Sequence, residues 1–268
     1  MDVIVNGMRE LAPEGSKPLM SYGSYHSNLL LCLGYGPLSL PLAELLKLYH
    51  HLDGKWLVAS PIHWEATHND AMIVALDERL ELSEEESLLW FLEVKKFLKE
   101  DNFDPIYHSA GQWLFNIDDK PIINSKAAPA ILHQSVMPIL NAIDATFFWQ
   151  RLITEMQMYL SSHPLNRQRE AKLAINGLWF WGEGEFKQSV TRPIATDDEV
   201  LLNHLKGEVS LLTPDTALKK DHLVLITKPQ EISLSKLEEK TKKSTTHWYW
   251  NNQAYSCETK HWWSRLWR

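Results

Sequence analysis

His163, Asn166 and Arg169 place an imidazole, a carboxamide and a guanidinium in one short polar segment. These are the groups that grip an anion, with the guanidinium forking onto phosphate or carboxylate oxygens. Downstream, Gly182 and Gly184 free the backbone for a tight turn where ligands approach α/β sheets. Other constellations are sparser. His63, His68 and Asp70 form a possible metal triad on a turn, although their spacing matches no ligand pattern for zinc. Cys257 and His261 form a possible nucleophile pair, for which packing in a tryptophan-rich tail is the plainer reading. The chain carries no G-x-S-x-G elbow, Walker loop or G-x-G-x-x-G. The Gly182-Glu183-Gly184 turn lacks a third glycine and sets a carboxylate where a phosphate would be repelled.

The elements around the polar segment follow from its neighbours. Phe148, Leu152, Met156 and Leu160 recur every fourth residue, so they form the apolar face of a helix. Pro164 cannot continue that helix and pushes His163 toward extended geometry, which leaves His163, Asn166 and Arg169 on a connecting loop. The run from Ala174 to Trp181 is apolar on both faces, as expected of a central strand covered by helices.

Along the rest of the chain, Met1 to Met8 reads as a short buried strand with a turn, and Pro13 to Ser27 as a loop. Leu40 to Leu52 reads as a helix, Trp56 to Ile62 and Ala71 to Leu76 as strands. Ser83 and Glu86 make a capping box that opens a helix running to about Glu100. Pro105 to Ser109 and Gln112 to Ile117 pair antiparallel, while Ala127 to Pro138 is irregular. After Gly184 come an acidic helix start at Asp197-Asp198-Glu199, a strand at His222 to Thr227, a charged helix near Ser233 to Lys243 and an aromatic strand at Thr246 to Asn251. Antiparallel pairs dominate the middle and single strands alternating with helices dominate the ends. The chain therefore divides into an α/β core of residues 1–52 and 174–268, interrupted by an α+β unit of residues 53–173.

Composition narrows the function classes. The net charge of −7 argues against nucleic acid as the main partner, because phosphate backbones are held by clustered cations. Lys240, Lys242, Lys243, His261, Arg265 and Arg268 interleave with Trp248, Tyr249, Trp250, Trp262, Trp263 and Trp267, which superficially resembles a single-strand stacking surface. Anchoring of a terminal segment is the better account of so many indoles. No apolar run is long enough to span a bilayer and no signal peptide is evident, so a cytoplasmic protein with reduced Cys32 and Cys257 is expected.

The order His163-Pro164-Leu165-Asn166, Arg169, Asn176, Trp179, Trp181-Gly182 and Gly184 resembles the segment that closes the inserted domain of archaeal-type, cofactor-independent phosphoglycerate mutases and their bacterial relatives. Trp56 to His63 looks like the start of that insert, and Leu80 to Glu86 is similar to its helix cap. The resemblance implies an alkaline-phosphatase-like core, here reduced, with two divalent metals, Mn²⁺ or Zn²⁺, and a phosphoryl-carrying hydroxyl. The implied ligands are unmatched. Asn6-Gly7-Met8-Arg9-Glu10 stands where the family has D-G-M-x-D, and Lys228-Pro229-Gln230-Glu231 follows the strand that should lead to D-E-A-G-H. Asn252, Gln253 and Ala254 replace the last D-H pair, and Asp221-His222 precedes its strand. Val58, Ser60 and Gln112 occupy positions of a family arginine, aspartate and arginine.

What survives is an expected substrate-type site of His163, Asn166 and Arg169 with the Gly182 to Gly184 turn nearby, and no metal. The implied function is a catalytically degenerate, mutase-like binding or regulatory protein for a phosphorylated small molecule or a protein partner. An active metal-dependent mutase or phosphatase, and an interaction module using the aromatic C-terminal segment, are the alternatives.

Overall fold

A computed structural model describes residues 1–67, 70–241 and 244–258. Its first half contains β1 (Asp2–Val5), β2 (Lys17–Leu19), α1 (Tyr25–Cys32), α2 (Leu42–His50), β3 (Trp56–Ala66), β4 (Ala71–Leu76), α3 (Glu84–Phe97), β5 (Ile106–Ser109), β6 (Gln112–Asn116) and α4 (Met137–Asn141). There follow α5 (Phe148–Ser161), β7 (Gly177–Trp181), β8 (Ile194–Thr196), α6 (Glu199–His204), β9 (Val209–Leu211), β10 (Leu223–Ile226), α7 (Leu234–Thr241), β11 (Thr246–Tyr249) and β12 (Ala254–Cys257). The chain is mixed α/β. It divides into two compact units, residues 1–35 with 187–268, and residues 36–186.

The first unit is built on a seven-stranded sheet in the order β2-β12-β11-β1-β10-β8-β9. Its five consecutive strands β11, β1, β10, β8 and β9 are parallel, with β12 and β2 added antiparallel at one edge. Val3-Ile4-Val5 and Leu223 to Ile226 are apolar without alternation and buried on both faces, as interior parallel strands require. Trp248, Trp250 and Tyr255 pack with Val3, Val5, Val224, Ile226 and Leu237 in one cluster, so these aromatics are core. Residues 242, 243, 261 to 263, 265, 267 and 268, which complete the basic and aromatic pattern, lie outside the described residues, as does His68. Helix α1 and strands β2, β8, β9 and β12 were not legible in the sequence. Apart from α1 they are short pieces whose position is set by sheet neighbours.

The second unit holds an antiparallel sheet in the order β4-β3-β6-β5, with β7 pairing β3. Because Val58 and Ala59 pair with both β6 and β7, these two strands flank β3 on opposite edges. This corrects the expectation that Ala174 to Trp181 forms a central strand of the α/β core: β7 is antiparallel and sits on the edge of the other sheet. Both of its faces are nevertheless buried. The rings of Trp149, on α5, and Phe115, on β6, have centroids 5.4 Å and 5.3 Å from that of Phe180, so helix α5 does pack on β7. Helix α2 packs on β3 and belongs to the same unit. The unit boundaries therefore fall near 35 and 186 instead of 52 and 173.

Candidate functional site

Arg169 is buried, with its side chain 1% exposed. Its Nε donates to the Leu173 carbonyl at 2.8 Å, one terminal nitrogen donates to the Leu80 carbonyl, and the other meets the Glu86 carboxylate. Asn166 Nδ2 donates to the carbonyls of Leu160 and Ile175, each at 2.9 Å, and its Oδ1 accepts from Ile175 N at 2.9 Å. His163 caps the following 3₁₀ turn, its Nδ1 accepting from Leu165 N at 3.3 Å, while Nε2 faces Glu93 Oε2 at 3.4 Å between the rings of Trp90 and Tyr159. The three residues stand on one 3₁₀ segment and its cap. Their polar atoms face inward, however, and form a clip that ties the end of α5 to the entry of β7 and the start of α3. The cap at α3 is altered by the same clip. Ser83 Oγ accepts from Glu86 N at 3.2 Å as a capping box requires, but the Glu86 carboxylate turns to Arg169.

The Gly182 to Gly184 turn is not beside this clip. Asn166 fastens Ile175 before β7 and Gly182 lies beyond the strand's other end, a separation on the order of 20 Å for an extended chain. Gly182 has φ +91°, and a Cβ there would stand 3.2 Å from Ala43 N, which donates to the Gly182 carbonyl at 3.0 Å. Its glycine is required by the approach of α2. Gly184 has φ +136° and lies against Pro41. Between them the Glu183 carboxylate accepts from Ser125 N at 2.8 Å. His63 donates from Nδ1 to the Ala174 carbonyl and the Asp70 carboxylate accepts from Ser135 Oγ, and among the described residues they belong to no group of three metal-ligating side chains. Burial pushes the Cys257 thiol up, away from nucleophilic character. Ser60 accepts from the Trp181 indole at 3.0 Å, and Val58 and Gln112 are buried.

In parallel α/β sheets, ligands approach the carboxyl ends of the strands. Here that edge is closed by amides and capped carboxylates. Asn251 Nδ2, after β11, donates to Asn6 Oδ1, after β1, at 3.2 Å, and Asn251 N donates to the Gly7 carbonyl at 3.0 Å. Asp197, after β8, accepts from Thr227 N at 2.6 Å, Thr227 Oγ1 at 3.0 Å and Lys228 N at 2.9 Å. Asp198 caps α6 through Val200 N and Leu201 N and accepts from the buried Tyr25 hydroxyl at 3.3 Å. Divalent metals need several anionic or imidazole ligands converging on one point. Among the described residues no such group of three exists, so this edge does not fit the metals the resemblance implies.

Cations gather instead at the other end of the sheet. A cavity of about 500 Å³ is lined by Met1, Asp215, Thr216, Lys219, Lys220, Lys240 and Thr241, among others. Three lysines and one aspartate are among the lining residues. The Lys240 ammonium donates to the Pro214 carbonyl, which draws the end of α7 toward the loop before β10. Sequence reading noticed Lys240 but paired it with the tail. The Lys219-Lys220 dipeptide ahead of a buried strand was the available signal, and only the sheet order brings it to α7.

No family model and no curated protein matches the chain. Among solved structures, the cofactor-independent phosphoglycerate mutase from Thermoplasma acidophilum DSM 1728 is similar at 13% identity and a TM-score of 0.31, over 97% of this chain and 90% of that one. A superposition that loose identifies neither family nor activity. Among the described residues no helix is long and apolar enough to cross a membrane.

Proposed function

We propose that this chain is a catalytically degenerate, mutase-like α/β protein that acts by binding a small anionic, phosphorylated ligand, and that the ligand enters the lysine-lined cavity of the first unit. The carrying observation is the cavity itself. Its volume of about 500 Å³ suits a small metabolite, and Lys219, Lys220 and Lys240 outnumber Asp215. The amide pair Asn6–Asn251 supports the loss of metal chemistry, since neutral amides cannot replace the carboxylates that such chemistry requires. Arg169 is not the anion's partner, because its donors already serve two carbonyls and Glu86.

Calorimetric titration with 3-phosphoglycerate as probe tests the reading. Saturable binding that weakens on the order of tenfold with each of Lys219→Ala, Lys220→Ala and Lys240→Ala is expected. Binding untouched by the triple substitution would place the ligand elsewhere. Interconversion of 2- and 3-phosphoglycerate with added Mn²⁺ would refute degeneracy.

A further inference from the structure

Helix α3 buries Ser87, Trp90, Phe91 and Val94 and turns an unusual face to solvent. Leu88, Leu89 and Leu92 are exposed by 44%, 50% and 52%. The outward positions Glu85, Leu89, Leu92 and Lys96 step by four, three and four, the spacing of a coiled-coil seam. A solvated helix face gains nothing from three leucines in a row, so this stripe calls for a partner.

The ends of the stripe say which partner. Its amino end is acidic, with Glu85, and its carboxyl end is basic, with Lys96. Laid antiparallel on a copy of itself, about an axis midway between Leu89 and Leu92, the seam sets Leu89 against Leu92 and Glu85 against Lys96, twice over. Laid parallel, it sets Glu85 against Glu85 and Lys96 against Lys96. Opposed charges thus select the antiparallel arrangement, and the two-fold makes the contact self-complementary. The geometry points to α3 as a homodimer interface in which two copies of this helix pair antiparallel through Leu88, Leu89 and Leu92. One helix face buries less than the area of a standard interface, so the dimer is a weak one, with a dissociation constant on the order of 10 µM.

Sedimentation velocity of the full chain, over concentrations spanning that constant, tests the inference. The expected result is a reversible monomer–dimer equilibrium. Glu85→Lys and Lys96→Glu should each raise the dissociation constant about tenfold or more, and the double substitution Glu85→Lys with Lys96→Glu should restore it to within about threefold. Leu92→Glu should leave only monomer. All of these positions are exposed, and unchanged melting of each variant separates loss of pairing from loss of fold. A chain that is monomeric throughout overturns the inference. So does a dimer that ignores the α3 substitutions but disappears when residues 259–268 are removed, which would assign association to the tail.

Discussion

Replacing Arg169 by alanine distinguishes an anion grip from a structural clip, because the two roles predict opposite readouts. The clip account assigns the guanidinium two carbonyls and a carboxylate. Removing it leaves the Leu80 carbonyl without its donor in the interior, at about 1–3 kcal/mol. The Leu173 carbonyl and Glu86, whose side chain is 26% exposed, can recover water, so they add about 1 kcal/mol together. Lost packing around the buried stem adds about 1 kcal/mol and brings the sum to about 3–5 kcal/mol. For a unit of this size the melting temperature should fall by roughly 6–20 °C. Urea unfolding followed by tryptophan emission reads the second unit well, since Trp90, Trp113, Trp149, Trp179 and Trp181 are all buried there. Arg169→Lys should recover little, because one ammonium cannot reproduce the planar fork. A loss of stability under about 1 kcal/mol, combined with a loss of 3-phosphoglycerate affinity, would refute the clip and restore the anion site.

Three further outcomes follow from the second unit. His108 is held down to about 4 by burial and by His50, whose Nε2 lies 2.9 Å from its Nδ1. A neutral buried histidine contributes stability above its unfolded value and loses it on acidification, so the urea midpoint should drop between roughly pH 6.5 and 4 and His108→Phe should flatten that slope. Asp77 is pushed up to about 7 by desolvation and Glu78. Its sign is opposite: the folded state favours the protonated carboxyl, stability falls as pH rises from the carboxylate range through about 7, and Asp77→Asn should remove the decline while tolerating the residue's φ of 49°. Gly182→Ala should cost about 1–3 kcal/mol in thermal unfolding, since alanine meets both a left-handed backbone and the amide of Ala43.

Much of the architecture was legible because it is written in local pattern. The four-residue recurrence from Phe148 to Leu160 gave α5, Pro164 gave its end, and β1 and β10 were read as strands, whose parallel pairing only the fold shows. Partnership was not legible. Nothing local in Gly177 to Trp181 distinguishes a strand of the parallel sheet from one that pairs β3 antiparallel, because both bury two faces. The same gap explains the site. His163, Asn166 and Arg169 are the residue types that bind anions, but a carboxamide and a guanidinium bind peptide carbonyls as well, and carbonyls carry no sequence signature. Only the fold shows that Leu80, Leu160, Leu173 and Ile175 supply the acceptors.

That distinction bears on how the motif itself is to be read. A segment in which asparagine and arginine clamp the backbone at a helix-to-strand passage is under structural constraint wherever the passage occurs, whatever chemistry the rest of the chain performs. In this chain the segment helps to build the second unit, and its residue types alone say nothing about catalysis. The proposed function rests on residues that the clamp does not use, Lys219, Lys220 and Lys240 around a cavity of the first unit. A ligand bound there would sit at the amino ends of the parallel strands. Binding measured against the three lysines, with Arg169 as the structural control, separates that outcome from a site at the clip.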